Sequence, residues 1–125
     1  MQISSAKGLA VYKEAYQLAM EIFELSKTWP PEERFSLIDQ ARRSSRSVCT
    51  NLREAWSKRR YEAHFISKLT DADGENSETD TWIDFAKDSG YLAVIDYEKL
   101  SEKCNSVGKM LGSMLRNPEP FLLRL

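Results

Sequence analysis

The sequence predicts an all-α protein, an antiparallel up-down-up-down bundle of four helices. Three observations lead there. Apolar residues recur at steps of three and four along four separate segments, the spacing that lines one face of a helix. No segment alternates in the manner of a strand, and no Asn-Gly or Asp-Gly turn separates two apolar runs; Asp73-Gly74 falls inside a helical pattern. The connections between segments are short, which makes successive helices antiparallel neighbours. At 125 residues the chain is expected to form one domain spanning residues 1–125.

The first helix is expected over about 6–27, with Leu9, Tyr12, Tyr16, Ala19, Ile22 or Phe23, and Ser26 on its inner stripe. Trp29-Pro30-Pro31 ends it, because the residue before a proline is driven out of the α region. The second runs over about 33–58, opened by Glu32 and Glu33 at the positive end of the helix dipole. Its stripe is Leu37, Ala41, Ser44 or Ser45, Val48, Leu52, Ala55 and Trp56, with small residues at the middle that admit a close neighbour. The third spans about 61–87 with Phe65, Leu69, Ala72, Asn76, Thr79, Ile83 and Ala86 inward, and Gly90 is placed to cap its end. Asp96 is expected as the N-cap of the fourth, over about 97–116, whose stripe is Leu100, Cys104, Val107, Leu111 and Met114 or Leu115. Asn117-Pro118 stops it. The tail over 117–125 ends in Phe121-Leu122-Leu123-Arg124-Leu125 and is apolar enough to pack on the body or on another subunit.

Charge is segregated along the chain although the net charge is only −1. Between Arg42 and Arg60 seven basic residues face the single acid Glu54; between Asp71 and Asp88 seven acids face the single base Lys87. With helices two and three antiparallel about the turn near Arg59 and Arg60, positions summing to about 118 meet across the pair. Arg42 and Arg43 then approach Glu75 and Glu78, and Arg46 approaches Ala72 and Asp73; Arg42, Arg43, Arg46, Glu75 and Glu78 are expected to form an ion-pair network, within the bundle or between subunits, that sets register more than stability. Asn51 and Asn76, on inward-facing positions, are expected to form a small polar core.

Catalytic chemistry finds no residues. His64 is the only histidine, so a two-histidine metal site cannot form. Asp71-Ala-Asp73-Gly74-Glu75 opens like a calcium loop, but its glycine falls at loop position four and Trp82 stands where the closing glutamate belongs. No Gly-x-Ser-x-Gly elbow or glycine-rich phosphate loop is present. Cys49 and Cys104 both lie within helical pattern, are too few for a disulfide scaffold, and are expected reduced. Neither a catalytic residue nor a metal or other cofactor is expected. The start, Met1-Gln-Ile-Ser-Ser-Ala-Lys-Gly, has no apolar core behind its lysine, and no apolar run spans a membrane. The protein is therefore expected in the cytoplasm.

The arrangement as a whole resembles the 23S rRNA intervening-sequence protein family of bacterial four-helix bundle proteins. The residues that carry the likeness are Leu9-x-Val11-Tyr12-x-x-Ala15 and Trp29-Pro30-x-Glu32, then Leu37-x-x-Gln40-x-Arg42-Arg43-Ser44-x-x-Ser47-Val48-x-x-Asn51-Leu52-x-Glu54. Phe65-x-x-x-Leu69-x-x-Ala72-x-Gly74-x-x-x-Glu78 and Gly90-Tyr91-Leu92 follow in the same order. The resemblance implies four antiparallel helices assembled as a homopentamer. It also implies kinship with the accessory protein of diversity-generating retroelements, a basic pentameric barrel implicated in binding nucleic acid and a reverse transcriptase. Two departures stand out: Asn51-Leu52-Arg53-Glu54-Ala55 replaces the family's Asn-Ile-Ala-Glu-Gly, and Gly74-Glu75 replaces its Gly-Ser.

The function expected on these grounds is a non-catalytic homo-oligomeric scaffold or adaptor that binds a partner, either RNA or a ribonucleoprotein. Arg53, Lys58, Arg59 and Arg60, around the turn, are the candidate nucleic-acid contacts. The alternative is a purely structural protein–protein module, with Trp56, Trp82, Phe85 and the tail from Phe121 to Leu125 as its contact residues.

Overall fold

The computed structural model describes residues 3–123 and is all-α: four α-helices and no strand among the described residues. They are α1 (Ala10–Ser26), α2 (Asp39–Ser57), α3 (Glu62–Asp88) and α4 (Val94–Arg116). Each helix packs on the next in the chain, and α1 also packs on α4.

The stripes expected for α3 and α4 are the ones buried: Phe65, Leu69, Ala72, Asn76, Thr79, Ile83 and Ala86 on α3, and Leu100, Cys104, Val107, Leu111 and Met114 on α4. On α2 the inner face is Ala41, Ser44, Ser45, Val48, Cys49, Leu52 and Ala55, while Trp56 sits half-buried at its rim. The stripe of α1 is rotated from the expected one. Val11, Ala15, Leu18, Ala19, Ile22 and Ser26 are buried, whereas Tyr12 is half-buried and Tyr16 is 53% exposed. Small and aliphatic side chains fill a tight seam whose one hydroxyl, Ser26 Oγ, is hydrogen-bonded; two phenols there would each need a buried partner. The tyrosines instead pack on each other at the rim, 6.1 Å between ring centroids.

Helix ends also differ from the periodic estimate. Ala6–Gly8 is a separate 3₁₀ turn, because Leu9 is extended and the α-helix opens at Ala10. Gly8 lets the chain fold over itself there: a Cβ at this position would lie 3.0 Å from Ile3 Cγ2. Helix α4 begins at Val94 with Ala93 as N-cap, so Asp96 lies in the first turn, where its charge still favours the helix dipole. Gly90 behaves as expected. With φ of 82°, it lets its own N–H reach Lys87 O and the Tyr91 N–H reach Ala86 O, closing α3 with a Schellman motif.

The interior divides into two apolar clusters. One gathers Leu9, Val11, Leu52, Phe65, Leu69 and Leu111; the other gathers Ile22, Trp29, Leu37, Ile83 and Leu100. Between them lies a belt of small polar groups. Thr79 and Ser44 share a 2.8 Å hydroxyl bond, Ser45 Oγ donates to Ala41 O, and Asn76 Nδ2 donates to Cys104 O at 3.0 Å. Asn51 is not part of this belt; it is half-buried and donates to Ser47 O within its own helix. The tail packs on the body: Phe121 stacks on Phe65 at 6.3 Å, Leu122 is buried, and the Leu123 N–H donates to Arg59 O. Arg124 and Leu125 lie outside the described residues.

Candidate nucleic-acid interface

The approach to α2 is irregular. A 3₁₀ turn over Pro31–Glu33 runs into a π-helical turn over Arg34–Ile38 before the α-helix starts at Asp39. Leu37 and Ile38 are buried and anchor the turn, so Phe35 points the opposite way and stands 86% exposed. Glu33 pins the other end, accepting from Ser36 Oγ at 2.7 Å and Tyr91 Oη at 2.9 Å; these two bonds hold its carboxyl below the usual carboxylate range.

Beside this turn an open groove runs along α2, lined by Arg34, Phe35, Arg42, Arg43 and Arg46, with Asp39 its one carboxylate. The half-buried Phe23 ring of α1 supports two of its cations, with the guanidinium carbons of Arg42 and Arg46 at 4.8 and 5.6 Å from the ring centroid. Arg42 is further tied to the end of α1, donating through Nε to Ser26 Oγ at 2.8 Å and through Nη2 to Phe23 O. There it answers a terminal carbonyl and the negative end of the helix dipole.

The expected network of Arg42, Arg43, Arg46, Glu75 and Glu78 is thereby divided. Arg43 alone reaches α3, paired to Glu78 and, at 3.3 Å, to Glu75. The Glu78 bond, above all, raises the Arg43 pKa; burial is the main cause that raises the Glu75 carboxyl, against the pull of Arg43. Arg42 and Arg46 turn toward α1 instead, because α2 presents them one helical turn apart on the side where Phe23 lies. A second bridge, Lys68 to Glu54 at 2.7 Å, closes the other end of the α2–α3 seam. Among the described residues no carboxylate lies within ion-pair distance of Arg34, Arg42, Arg46 or Arg53.

The four candidates at the turn are not equivalent. Arg59 is spent on the chain itself: its guanidinium lies 3.5 Å over the Trp56 ring, Nε donates to Trp56 O at 2.8 Å, and Nη1 reaches Phe121 O. Burial lowers its pKa. Lys58 and Arg60 are exposed beside it. Arg53 is exposed on the same side of α2 as Arg46, about two helical turns, or roughly 10 Å, further along. It extends the groove's basic row rather than the turn.

Sequence periodicity passed over Arg34 and Phe35, since both precede the regular helix. The available signal was an aromatic residue two places before the buried Leu37, within Glu32-Glu33-Arg34-Phe35-Ser36. Elsewhere, Phe85, Val94 and Ile95 are exposed and Trp82 is half-buried, packed 5.9 Å from Phe85. His64 is exposed with its ring edge-on to Tyr61. Among the described residues no group of three or more His, Cys, Asp or Glu could hold a metal ion. Both cysteines are free and buried, and burial pushes the Cys49 thiol up to about 11 and the Cys104 thiol to about 12. Among the described residues no helix is long and apolar enough to cross a membrane.

The sequence model of the 23S rRNA-intervening sequence protein family matches residues 7–113, from the 3₁₀ turn before α1 almost to the end of α4. The chain belongs to that family. A solved structure of similar fold comes from Bacteroides thetaiotaomicron, a protein of unknown function from the S23 ribosomal protein family. It is 29% identical with a TM-score of 0.77, and the alignment covers 86% of this chain and 96% of that one. No curated protein matches the sequence. The family match takes in the whole basic groove, Arg34 to Arg53, and stops short of the tail that Arg59 secures.

Proposed function

We propose that the protein is a non-catalytic adaptor that binds RNA, alone or within a ribonucleoprotein, along the outward face of α2. The observation that carries this reading is the row of Arg34, Arg42, Arg46 and Arg53, none of which lies within ion-pair distance of a carboxylate of the described chain. Phosphate contacts require cations of that kind, held in position yet uncompensated. Family membership supports the reading through the resemblance to a basic, nucleic-acid-associated relative.

The scaffold in this proposal is an up-down-up-down bundle, working in the cytoplasm as a homo-oligomer, a pentamer by resemblance. Pairings between Glu54 and Lys68, between Arg43 and Glu78, and between Asp84 and Tyr97 support antiparallel neighbours. In a ring, each subunit repeats the basic row and multiplies a weak contact into avidity. Light scattering on a size-exclusion column, run with and without structured RNA at low salt, tests both parts. A mass near five chains that rises with RNA, and an affinity at least tenfold lower for Arg46→Glu with Arg53→Glu, are the expected results. A pentamer indifferent to RNA would sink the nucleic-acid reading, and a monomer would sink the assembly.

A second reading, a protein–protein module, is favoured by one observation: Phe85, Val94 and Ile95 are exposed where α3 passes to α4, with Trp82 beside them. It predicts a bound protein and unchanged behaviour on adding RNA.

A further inference from the structure

Phe35 is the most exposed large hydrophobic side chain among those described, at 86%, more than any other large apolar residue on this surface. Its setting, rather than its exposure, is informative, since single exposed apolar residues are ordinary. The residue sits on a π-helical turn, a local geometry that recurs at functional sites. That turn is fixed on both sides, by burial of Leu37 and Ile38 and by the bonds of Glu33 to Ser36 and Tyr91. The backbone that carries the ring is thereby held in place, and the ring is offered to solvent from a fixed turn instead of a loose loop.

Around it the groove carries four arginines against the single carboxylate of Asp39. Arg34 lies 5.9 Å from the ring centroid, and Arg42 and Arg46, braced on Phe23, line the same depression. A flat apolar face bordered by arginines is poorly suited to the same groove of a second copy, which would set cation against cation. It is well suited to a polyanion that carries flat aromatic faces of its own.

We infer that Phe35 is a base-stacking platform, and that the groove along α2 takes single-stranded RNA with a base on Phe35 and the backbone phosphates on Arg34 and Arg46. The inference rests on the RNA-binding reading above and adds to it the strandedness of the ligand. Bases in a duplex are stacked on one another and present only edges, so a lone ring on a protein surface has nothing to cover. In a single strand every base has a free π-face, and aromatic stacking tolerates any sequence.

The test is fluorescence anisotropy with a labelled single-stranded RNA of mixed sequence, and with the same strand annealed to its complement. The protein is used as the full chain, as wild type, Phe35→Ala, Phe35→Trp and Arg46→Glu, with melting curves to show that each folds. Phe35→Ala is expected to weaken single-strand binding by about 5- to 160-fold, the range of one stacked base, while leaving duplex binding unchanged. Phe35→Trp restores it, and Arg46→Glu weakens both ligands and flattens the salt dependence. If Phe35→Ala binds the single strand as wild type does while Arg46→Glu fails, the platform is wrong and the RNA-binding reading survives. An equal loss on duplex and single strand also overturns the platform. If wild type binds neither ligand, both proposals fall.

Discussion

Arg43 and Arg46 stand three residues apart on one helix and meet opposite fates. Arg43 reaches across the seam to α3, where Glu78 and Glu75 cancel its charge. Arg46 leans the other way onto the Phe23 ring of α1, which steadies a cation without neutralising it. The seam side of α2 therefore consumes charge for register, and the groove side preserves it. An aromatic ring and a carboxylate both attract a guanidinium, but only the carboxylate removes it from play.

The largest expected effect breaks the comparison at the seam. Leu52→Ala, a truncation at a side chain 1% exposed, is expected to cost about 2–5 kcal/mol in urea denaturation. Arg46→Ala on the groove side should stay within about 0.5 kcal/mol of wild type. Equal losses would mean that the groove side is structural too. The double change Glu75→Gln with Glu78→Gln sharpens the same contrast: it frees Arg43, so RNA affinity should rise by a few-fold and salt dependence steepen, while stability falls by less than about 1 kcal/mol. Unchanged affinity would place Arg43 outside the bound path.

The smallest effect concerns the two thiols. An unfolded chain ionises its cysteines from about pH 9, whereas burial holds Cys49 and Cys104 neutral until about 11 and 12. Their contribution to stability is thus complete below pH 9 and declines as pH rises through the interval above it. Alkylation at pH 8 should be slow in the folded protein and fast in denaturant. Rapid labelling of either residue in the native state would show that its part of the core opens readily.

Much of the fold was legible because helical burial leaves a periodic trace. The inner faces of α3 and α4 could be read residue by residue, since their buried positions keep an unbroken three- and four-residue spacing along the whole helix. Helix α1 offered two stripes of similar spacing, one tyrosine-rich and one aliphatic, and periodicity alone cannot rank them. Packing density and the needs of two phenolic hydroxyls decided for the aliphatic one. Asn51 was misplaced for a related reason: it sits at the edge of the stripe, where a bond to its own helix serves it as well as burial would.

The candidate site was less legible than the fold. The sequence placed the arginine excess and its acidic counterpart, and proximity across a short turn followed from them. It could not say which arginine would meet which neighbour, because that depends on a few tens of degrees of helix rotation and on a ring contributed by α1. The same holds for Arg59, which looked available beside Arg60 but is held by Trp56 and the returning tail.

By itself, then, the sequence determined the helix class, most of the inner faces, the breaks at Pro30 and Gly90, and the segregation of charge. These are local or periodic properties, fixed by backbone sterics and by the separation of apolar from polar groups. Only the tertiary structure decided which cations keep their charge and that Phe35 stands out among them. Pairing and exposure are relations between segments distant in the chain, and they exist only once α1, α2 and α3 have packed together.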